Sequence, residues 1–476
     1  MRRSVRAADG AGLENQCAAM HRGFESHALR HIPSLIGESM SEQKATRARR
    51  IRSARAAIRH GNVAPRKGGR TLLSWIGAGL AVVMVATASI AGIAFWDITR
   101  SANAGVALAN DQRIPDIGAI EGGVNFLLVG SDSREGTDPG VFDADPGSVL
   151  NDVNILLHIS ADHTNATVVS IPRDMVVHYA DCPDGGGGWS GPINGTLNEG
   201  GLPCVVLTVE ELTGLSIPFA AMIQFNGVIE MANAIGGVEV CVAEPIEDEY
   251  TQTFLDAGMH TLSGLQALQF LRTRHGVGDG SDLGRISNQQ VFLSSLVRKL
   301  KSAQTLTNPV ALFGLAKAAI SNMTLSNSLN NIDTMMSIAM ALKDIPLENV
   351  VFVQYPSSTG GTGIYAGKVQ PNQAEADALF AALLADQPIA LSGTTGNGSV
   401  VDPDAEAKAA AQAEAEAKAA AKAAKKATAT PTPTATPGAT ATPTPTSAPV
   451  AVLPENVNGQ TANDYTCSAG RTLDQQ

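Results

Sequence analysis

FLRTRHGVGDGSDLGRISNQQ, residues 270–290, carries Arg272, Arg274 and Arg285 beside Asp279, Asp282, Gln289 and Gln290. Between Glu121 and Val400 the other arginines are Arg134, Arg173 and Arg298, so half of a sparse set falls in one short stretch. The stretch joins two helical patterns. SGLQALQFL leads into it, and DLGRISNQQVFLSSLVRKLKS (282–302) is long and amphipathic. Arg272 and Arg274 are two apart, which puts both on one side of an extended segment. Asp282, Arg285 and Gln289 are spaced by three and four, which puts them on one face near a helix start. A helix N-terminus favours an anion, and a forked guanidinium matches two phosphate oxygens at once. The competing reading is a structural cluster in which Asp279 and Asp282 neutralise the arginines.

Moving outward, short runs bounded by turn residues read as buried strands: VNFLLVG (124–130), VNILLHIS (153–160) and NATVVSIP (165–172). CVVLTVEELTG (204–214) and FNGVIEMANAIGG (225–237) have helical spacing and glycine stops, and GVEVCV follows as a strand. Later come helices near 309–320, 328–342 and 372–386 and a strand at NVVFVQYP. The alternation predicts an α/β fold, a mixed β-sheet flanked by helices. Three motifs sit at predicted strand ends: Asp132 and Arg134 in GSDSREG, Asp152 directly before VNILLHIS, and Arg173 in SIPRD. Two carboxylates at neighbouring strand ends suit Mg2+, which takes one or two carboxylates together with phosphate oxygens and water. The bland alternative for each is a turn aspartate bonded to its own backbone. Five of the six arginines lie in these strand-end motifs or in the opening stretch 270–290, whereas charge carried for solubility would be scattered.

Beyond this body the chain divides sharply. Residues 1–70 hold fifteen Lys/Arg against five Asp/Glu, and the remainder nineteen against forty. Between basic arm and acidic body lies TLLSWIGAGLAVVMVATASIAGIAFW (71–96), without a charge. Roughly 20 apolar residues cross a bilayer core, and the spacing of Trp75 and Trp96 sets one indole near each interface. This predicts one N-terminal transmembrane helix that is not cleaved, with the basic arm cytoplasmic and the rest extracytoplasmic, after a stalk at 97–120. The arm is read as a juxtamembrane segment meeting anionic lipid, not nucleic acid. Residues 1–39 show no apolar period, and Met40 is the expected start. Cys182, Cys204, Cys241 and Cys467 then lie beyond the membrane, where four cysteines allow three disulfide pairings; the sequence selects none. Residues 303–402 complete the extracytoplasmic domain. Residues 403–449 form a linker, Ala/Glu/Lys-rich and then Pro/Thr-rich, and 450–476 a short tail without an evident core.

In their order, GSDSR, the aspartate before VNILLHIS, SIPRD, INGTLNEGG, LTGLSIPFAAMIQFNGVIEMANAIGGVEV and LSGLQALQFLRTRHG…DLGRISNQQ resemble the LytR-CpsA-Psr family over residues 121–302. Such proteins are membrane-anchored transferases that move a glycopolymer from a polyprenyl pyrophosphate carrier onto peptidoglycan. The resemblance implies Mg2+ held by Asp132 and Asp152. It implies pyrophosphate bound by Arg173, Arg272, Arg274, Arg285 and Gln289, with Asp282 positioning the arginines and Arg134 assisting. It also implies polyprenyl phosphate as leaving group, pyrophosphatase as a side activity, and, given the alanine-rich composition, an actinobacterial type with arabinogalactan as the polymer. Asp132, Asp152 and Asp282 are equal candidates for the base. Departures are Leu150 where relatives often carry arginine, Val153-Asn154-Ile155 where Thr-Met-Met is common, and Pro192 for a usual lysine. The alternatives are a membrane-bound envelope regulator and a non-catalytic lipid- or wall-binding protein.

Overall fold

The structure, a computed structural model, describes residues 105–109, 123–134, 149–302, 308–427 and 449–476. All belong to one compact unit, Ala88–Gln476. The predicted arm, the predicted span at 71–96 and most of the stalk lie outside the described residues. Among those described, no helix is long and apolar enough to cross a membrane.

The element order is β1 Val124–Ser131, β2 Asn151–Ile159, β3 Ala166–Ile171, α1 Thr196–Thr213, β4 Phe219–Ile223, α2 Phe225–Ala234, β5 Val238–Val242, β6 Gly258–Leu262, α3 Gly264–Arg272 and α4 Asp282–Ser302. Then follow α5 Pro309–Asn322, β7 Met323–Leu325, α6 Ile332–Lys343, β8 Val350–Gln354, α7 Gln373–Leu384, β9 Ser399–Val401, α8 Ala405–Ala427, β10 Gly459–Thr461 and β11 Thr466–Ser468. A seven-stranded sheet runs β7-β4-β1-β2-β3-β8-β10, with β1–β4 and β3–β8 parallel and the other pairs antiparallel. It is the mixed sheet that the alternating pattern predicts.

The strands read as continuous apolar runs because both faces are covered. Leu127, Val129, Leu156 and Val169 pack on one side against Val205 and Val209 of α1 and Leu379 and Leu383 of α7. Val124, Ile155, Ile159 and Phe352 pack on the other with Ile320 of α5 and Ile338 of α6. A smaller core of Val238, Val240, Leu262, Phe270 and Phe292 joins β5 and β6 to α3 and α4. That second face, where α2, α3 and α4 cover one end of the sheet, carries the site.

The tail departs from expectation. Residues 450–476 are integral: β10 is an edge strand of the main sheet, and β11 pairs with both β5 and β9. Leu453 and Val457 are buried in the larger core. A Cys241–Cys467 disulfide fastens this segment to β5, and Cys182–Cys204 is the other bridge. The tail lacks a core of its own because its apolar residues complete one built by residues several hundred positions earlier. Of the predicted linker, residues 405–427 form α8 and 428–448 lie outside the described residues.

Candidate active site

The site begins with a register slip. Gly130 pairs with Val153 and Ser131 with Asn151, so Asp152 is the extra residue of a β-bulge. In regular pleat Asp152 and Val153 would point to opposite faces. A bulge sets two residues against one and re-aims a side chain, and here both residues line the same cavity. Asp152 therefore lies inside β2, not before it as the sequence suggested. Gly130 makes the close approach possible, because a Cβ there would sit 2.8 Å from Val153 Cβ. Buried Asn151 fixes the strand end, donating to Asn154 Oδ1 (2.7 Å) and Ile193 O (3.0 Å) and accepting from Leu197 N–H (3.1 Å). Asp132 accepts the Leu150 N–H on Oδ1 (2.7 Å) and donates its own N–H to Leu150 O (3.1 Å).

The arginine stretch is organised by Asp248, a residue that sequence reasoning missed. It is fully buried. Its Oδ2 accepts Thr273 Oγ1–H (2.7 Å) and the N–H groups of Arg274 (3.1 Å) and His275 (3.2 Å). Its Oδ1 accepts those of Tyr250 (2.9 Å) and Thr251 (3.2 Å). In AEPIEDEYT, Asp248 is one of four acidic residues and looks like solvated charge; no local signal marks it. Burial alone would raise its pKa, but hydrogen bonds from Thr273, Arg274, Thr251 and Gly276 hold it below the ordinary 3.8. A depressed carboxylate stabilises the fold above its unfolded pKa, and that contribution disappears as pH falls from about 4 through the folded value. Asp248→Ala leaves these donors without their acceptor, and a loss of about 2–4 kcal/mol is expected. Thermal melts should show a clear drop at pH 7 that narrows below pH 4. Identical melts for variant and wild type at both pH values would contradict the assignment.

The four nearest arginines fall into two pairs. Arg173 Nη1 meets Asp152 Oδ1 at 2.8 Å, and its Nε lies 3.6 Å from both Asp282 and Asp174. Burial lowers the pKa of Arg173, but Asp152, Asp282 and Asp174 together raise it above its ordinary value. Arg285 Nη2 pairs with Asp282 Oδ1 at 2.5 Å and donates to Asp152 O at 3.1 Å. These two arginines fit the structural-cluster reading as well as the phosphate one, with Asp282 as shared counterion.

Arg272 and Arg274 differ, for neither forms an ion pair among the described residues. Arg272 is the last residue of α3, so the two do not share an extended segment as expected. Thr273 turns the chain out of the helix, and both arginines nevertheless line the cavity. The Arg272 guanidinium stacks on Phe225, 4.3 Å from the ring centre. Arg274 Nη2 lies 3.3 Å from His275 Nε2. Burial lowers the pKa of Arg272; Asp152 and Asp248 raise it and Arg134 and Arg285 lower it, leaving it below its ordinary value. Burial of a cation that has no ion pair among the described residues is the condition that a bound anion relieves. Gln289 lines the cavity with its Nε2 donating to Leu271 O (2.9 Å). The start of α4 is capped by Ser281, whose Oγ accepts the Gly284 N–H (3.1 Å), so it offers an anion less than its position suggests.

The cavity that these groups share has a volume of about 490 Å³. Asp152, Arg173, Arg272, Arg274 and Arg285 form its polar end. Ile223, Val228, Met231 and Ile235 on one side and Leu293 and Leu296 on the other make its walls apolar. Tyr250 and His275, ring centres 4.6 Å apart, stand among the lining residues and were not expected. Such a cavity suits an amphiphile with an anionic head.

The LytR_cpsA_psr family model matches residues 98–383, more than half of the chain. The chain belongs to the LytR_cpsA_psr family. Among its relatives is the "Cell wall biosynthesis protein LcpA" of Corynebacterium glutamicum, 27% identical over 334 residues, 64% of each protein. The "Probable cell wall biosynthesis protein LcpB" of the same organism is 32% identical over 270 residues, 55% of this chain and 61% of the relative. This LytR_cpsA_psr protein thus spans less than two thirds of the length of both. The "Polyisoprenyl-teichoic acid--peptidoglycan teichoic acid transferase TagT" of Bacillus subtilis is 30% identical over 255 residues, 51% of this chain and 75% of the relative.

Proposed function

We propose that this LytR_cpsA_psr protein is a membrane-anchored transferase acting outside the cell membrane, joining a glycopolymer from a polyprenyl pyrophosphate carrier to peptidoglycan. The observation that supports this most is the two-ended cavity, with Asp152 and the Arg272–Arg274 pair at the polar end and apolar walls from α2 and α4 beyond. The likeness to TagT, a polyisoprenyl-teichoic acid--peptidoglycan teichoic acid transferase, supports the same reaction class.

In this reading the diphosphate lies against Arg272 and Arg274, and the prenyl chain follows the apolar walls. A wall-sugar hydroxyl attacks the phosphorus nearer the glycopolymer. The new O–P bond forms as the bridging P–O bond breaks, polyprenyl phosphate departs, and the hydroxyl proton passes to a carboxylate of the site or to water. Positioning and charge stabilisation supply most of the catalysis in such transfers. Arg173 and Arg285 reinforce the polar end while keeping Asp152 and Asp282 in place.

The donor set fits Mg2+: Asp152 in the β2 bulge, which lines the cavity, and Asp132 one residue beyond the end of β1 and bonded to Leu150, both offering hard oxygen ligands of the kind that this ion takes alongside phosphate oxygens. Asp152 commits Oδ1 to Arg173, and its Oδ2 makes no hydrogen bond among the described residues. Asp132 and Asp152 would hold the ion. When bound, it would neutralise charge on the phosphoryl oxygens.

The test is reconstitution of the full chain with a defined lipid-linked oligosaccharide, wall fragments and Mg2+. Transfer should occur, and chelation by EDTA should lower it about 100-fold or more, with restoration by added Mg2+. Tight lipid binding without any transfer would point to a non-catalytic wall- or lipid-binding protein instead.

A further inference from the structure

The C-terminal segment lines none of the cavity, yet it grips the loop that carries Arg274. Gly278 N–H donates to Ala469 O (2.9 Å), Arg471 N–H donates to Gly276 O (2.8 Å), and Val277 bridges Gly470. The same segment holds the neighbouring strand Ile246–Asp248. Glu247 N–H donates to Arg471 O (3.1 Å), and Leu473 N–H donates to the Glu247 carboxylate (2.9 Å). Two routes therefore lead from the tail to Arg274, one along the loop and one through Asp248. Close packing leaves little slack, because a Cβ on Gly470 would sit 1.7 Å from Glu244 O. The Cys241–Cys467 bridge anchors the segment three residues before Gly470.

We propose that residues 467–473 act as a positioning clamp, holding the Arg274 loop in the geometry that receives the diphosphate head. The proposal rests on the cavity being a prenyl-diphosphate site. Arg274 has no ion pair among the described residues, and its side chain hydrogen-bonds the adjoining His275, so the direction of its guanidinium depends on how the backbone of this loop is held. Three hydrogen bonds to Asp248, from Thr273, Arg274 and His275, and the two shared with the tail do this, and no residue of the tail lines the cavity.

The clamp is tested in the full-length chain with two probes, geranylgeranyl pyrophosphate in the presence of Mg2+ and geranylgeraniol, which has the same chain without the diphosphate. Gly470→Val forces the strand off Glu244 with the disulfide intact. Arg471→Pro, the second variant should the first not fold, deletes the N–H that Gly276 accepts. The expected result is a loss of diphosphate affinity of about tenfold or more with binding of the alcohol unchanged. Amide exchange should quicken in the Arg274 loop but not in α2 or α3. Wild-type affinity for the diphosphate in the folded variants overturns the clamp, as does an equal loss for both probes, which would signify general loosening. A wild-type chain that does not bind the diphosphate rejects the site reading itself.

Discussion

Arg272→Ala should reduce transfer by about 1000-fold while leaving thermal stability unchanged or slightly raised. The two halves of this expectation have one cause. Arg272 forms no ion pair among the described residues, burial disfavours its charge, and attraction by Asp152 and Asp248 is set against repulsion by Arg134 and Arg285, so the fold gains little from that charge. The charge acquires a partner only when an anion arrives, and most strongly when negative charge grows on the bridging oxygen. Truncation removes that interaction and relieves the cost of burying a charge, which offsets the lost stacking on Phe225 and the lost attraction to Asp152 and Asp248. Arg272→Lys should recover only part of the rate, since an ammonium cannot present two parallel N–H groups to a phosphate. Arg173→Ala should behave differently, lowering both transfer and melting temperature, because it strips Asp152 and Asp282 of a cation. Transfer rates and melts on the three variants separate these roles. Transfer by Arg272→Ala within about twofold of wild type would remove the guanidinium clamp from the mechanism.

The second large effect concerns the tail. Replacing Cys241 and Cys467 together by serine should cost about 3–5 kcal/mol and lower the melting temperature by about 10 °C. The bridge joins residues 226 apart, whereas Cys182–Cys204 spans only 22, and loop-closure entropy grows with the logarithm of loop length. The paired replacement of Cys182 and Cys204 should therefore cost less, by about 1–2 kcal/mol. Side-by-side melts of the two double variants decide the matter. Equal or reversed losses would mean that the tail is not held as an integral part of the fold.

Local pattern carried much of the fold. The runs VNFLLVG, VNILLHIS and NATVVSIP become β1, β2 and β3 because two-sided burial favours unbroken apolar strands, and that preference is local. Helix periods at 264–272 and 282–302 were equally legible, since one apolar face repeats within the helix itself. The start of β2 was read two residues late. Asn151 and Asp152 look like turn residues, and only pairing with β1 draws them into the strand as its bulge.

Site residues followed the same division. Concentrated arginines beside strand-end aspartates were visible as a cluster, and the structure lines one cavity with Asp152, Arg173, Arg272, Arg274, Arg285 and Gln289. Which arginines would be neutralised was only partly visible: Arg285 pairs with Asp282 three residues away, as the spacing allowed, but Arg173 takes Asp152 from another strand and Asp282 from a distant helix. Asp248 was missed for a related reason: its buried role depends on a loop 25 residues later turning its N–H groups inward.

Taken alone, the amino-acid sequence determined the periods of the elements, the mixed α/β class, the charge division between arm and body, and the concentration of arginines and carboxylates from which the site is built. Tertiary structure decided the bulge that turns Asp152 into the cavity, the pairing that leaves Arg272 and Arg274 without an ion pair among the described residues, and the return of the tail behind their loop. The reason is physical. Periodicity and charge type are properties of neighbouring residues, whereas register, counterion choice and burial depend on which distant segments meet when the core closes.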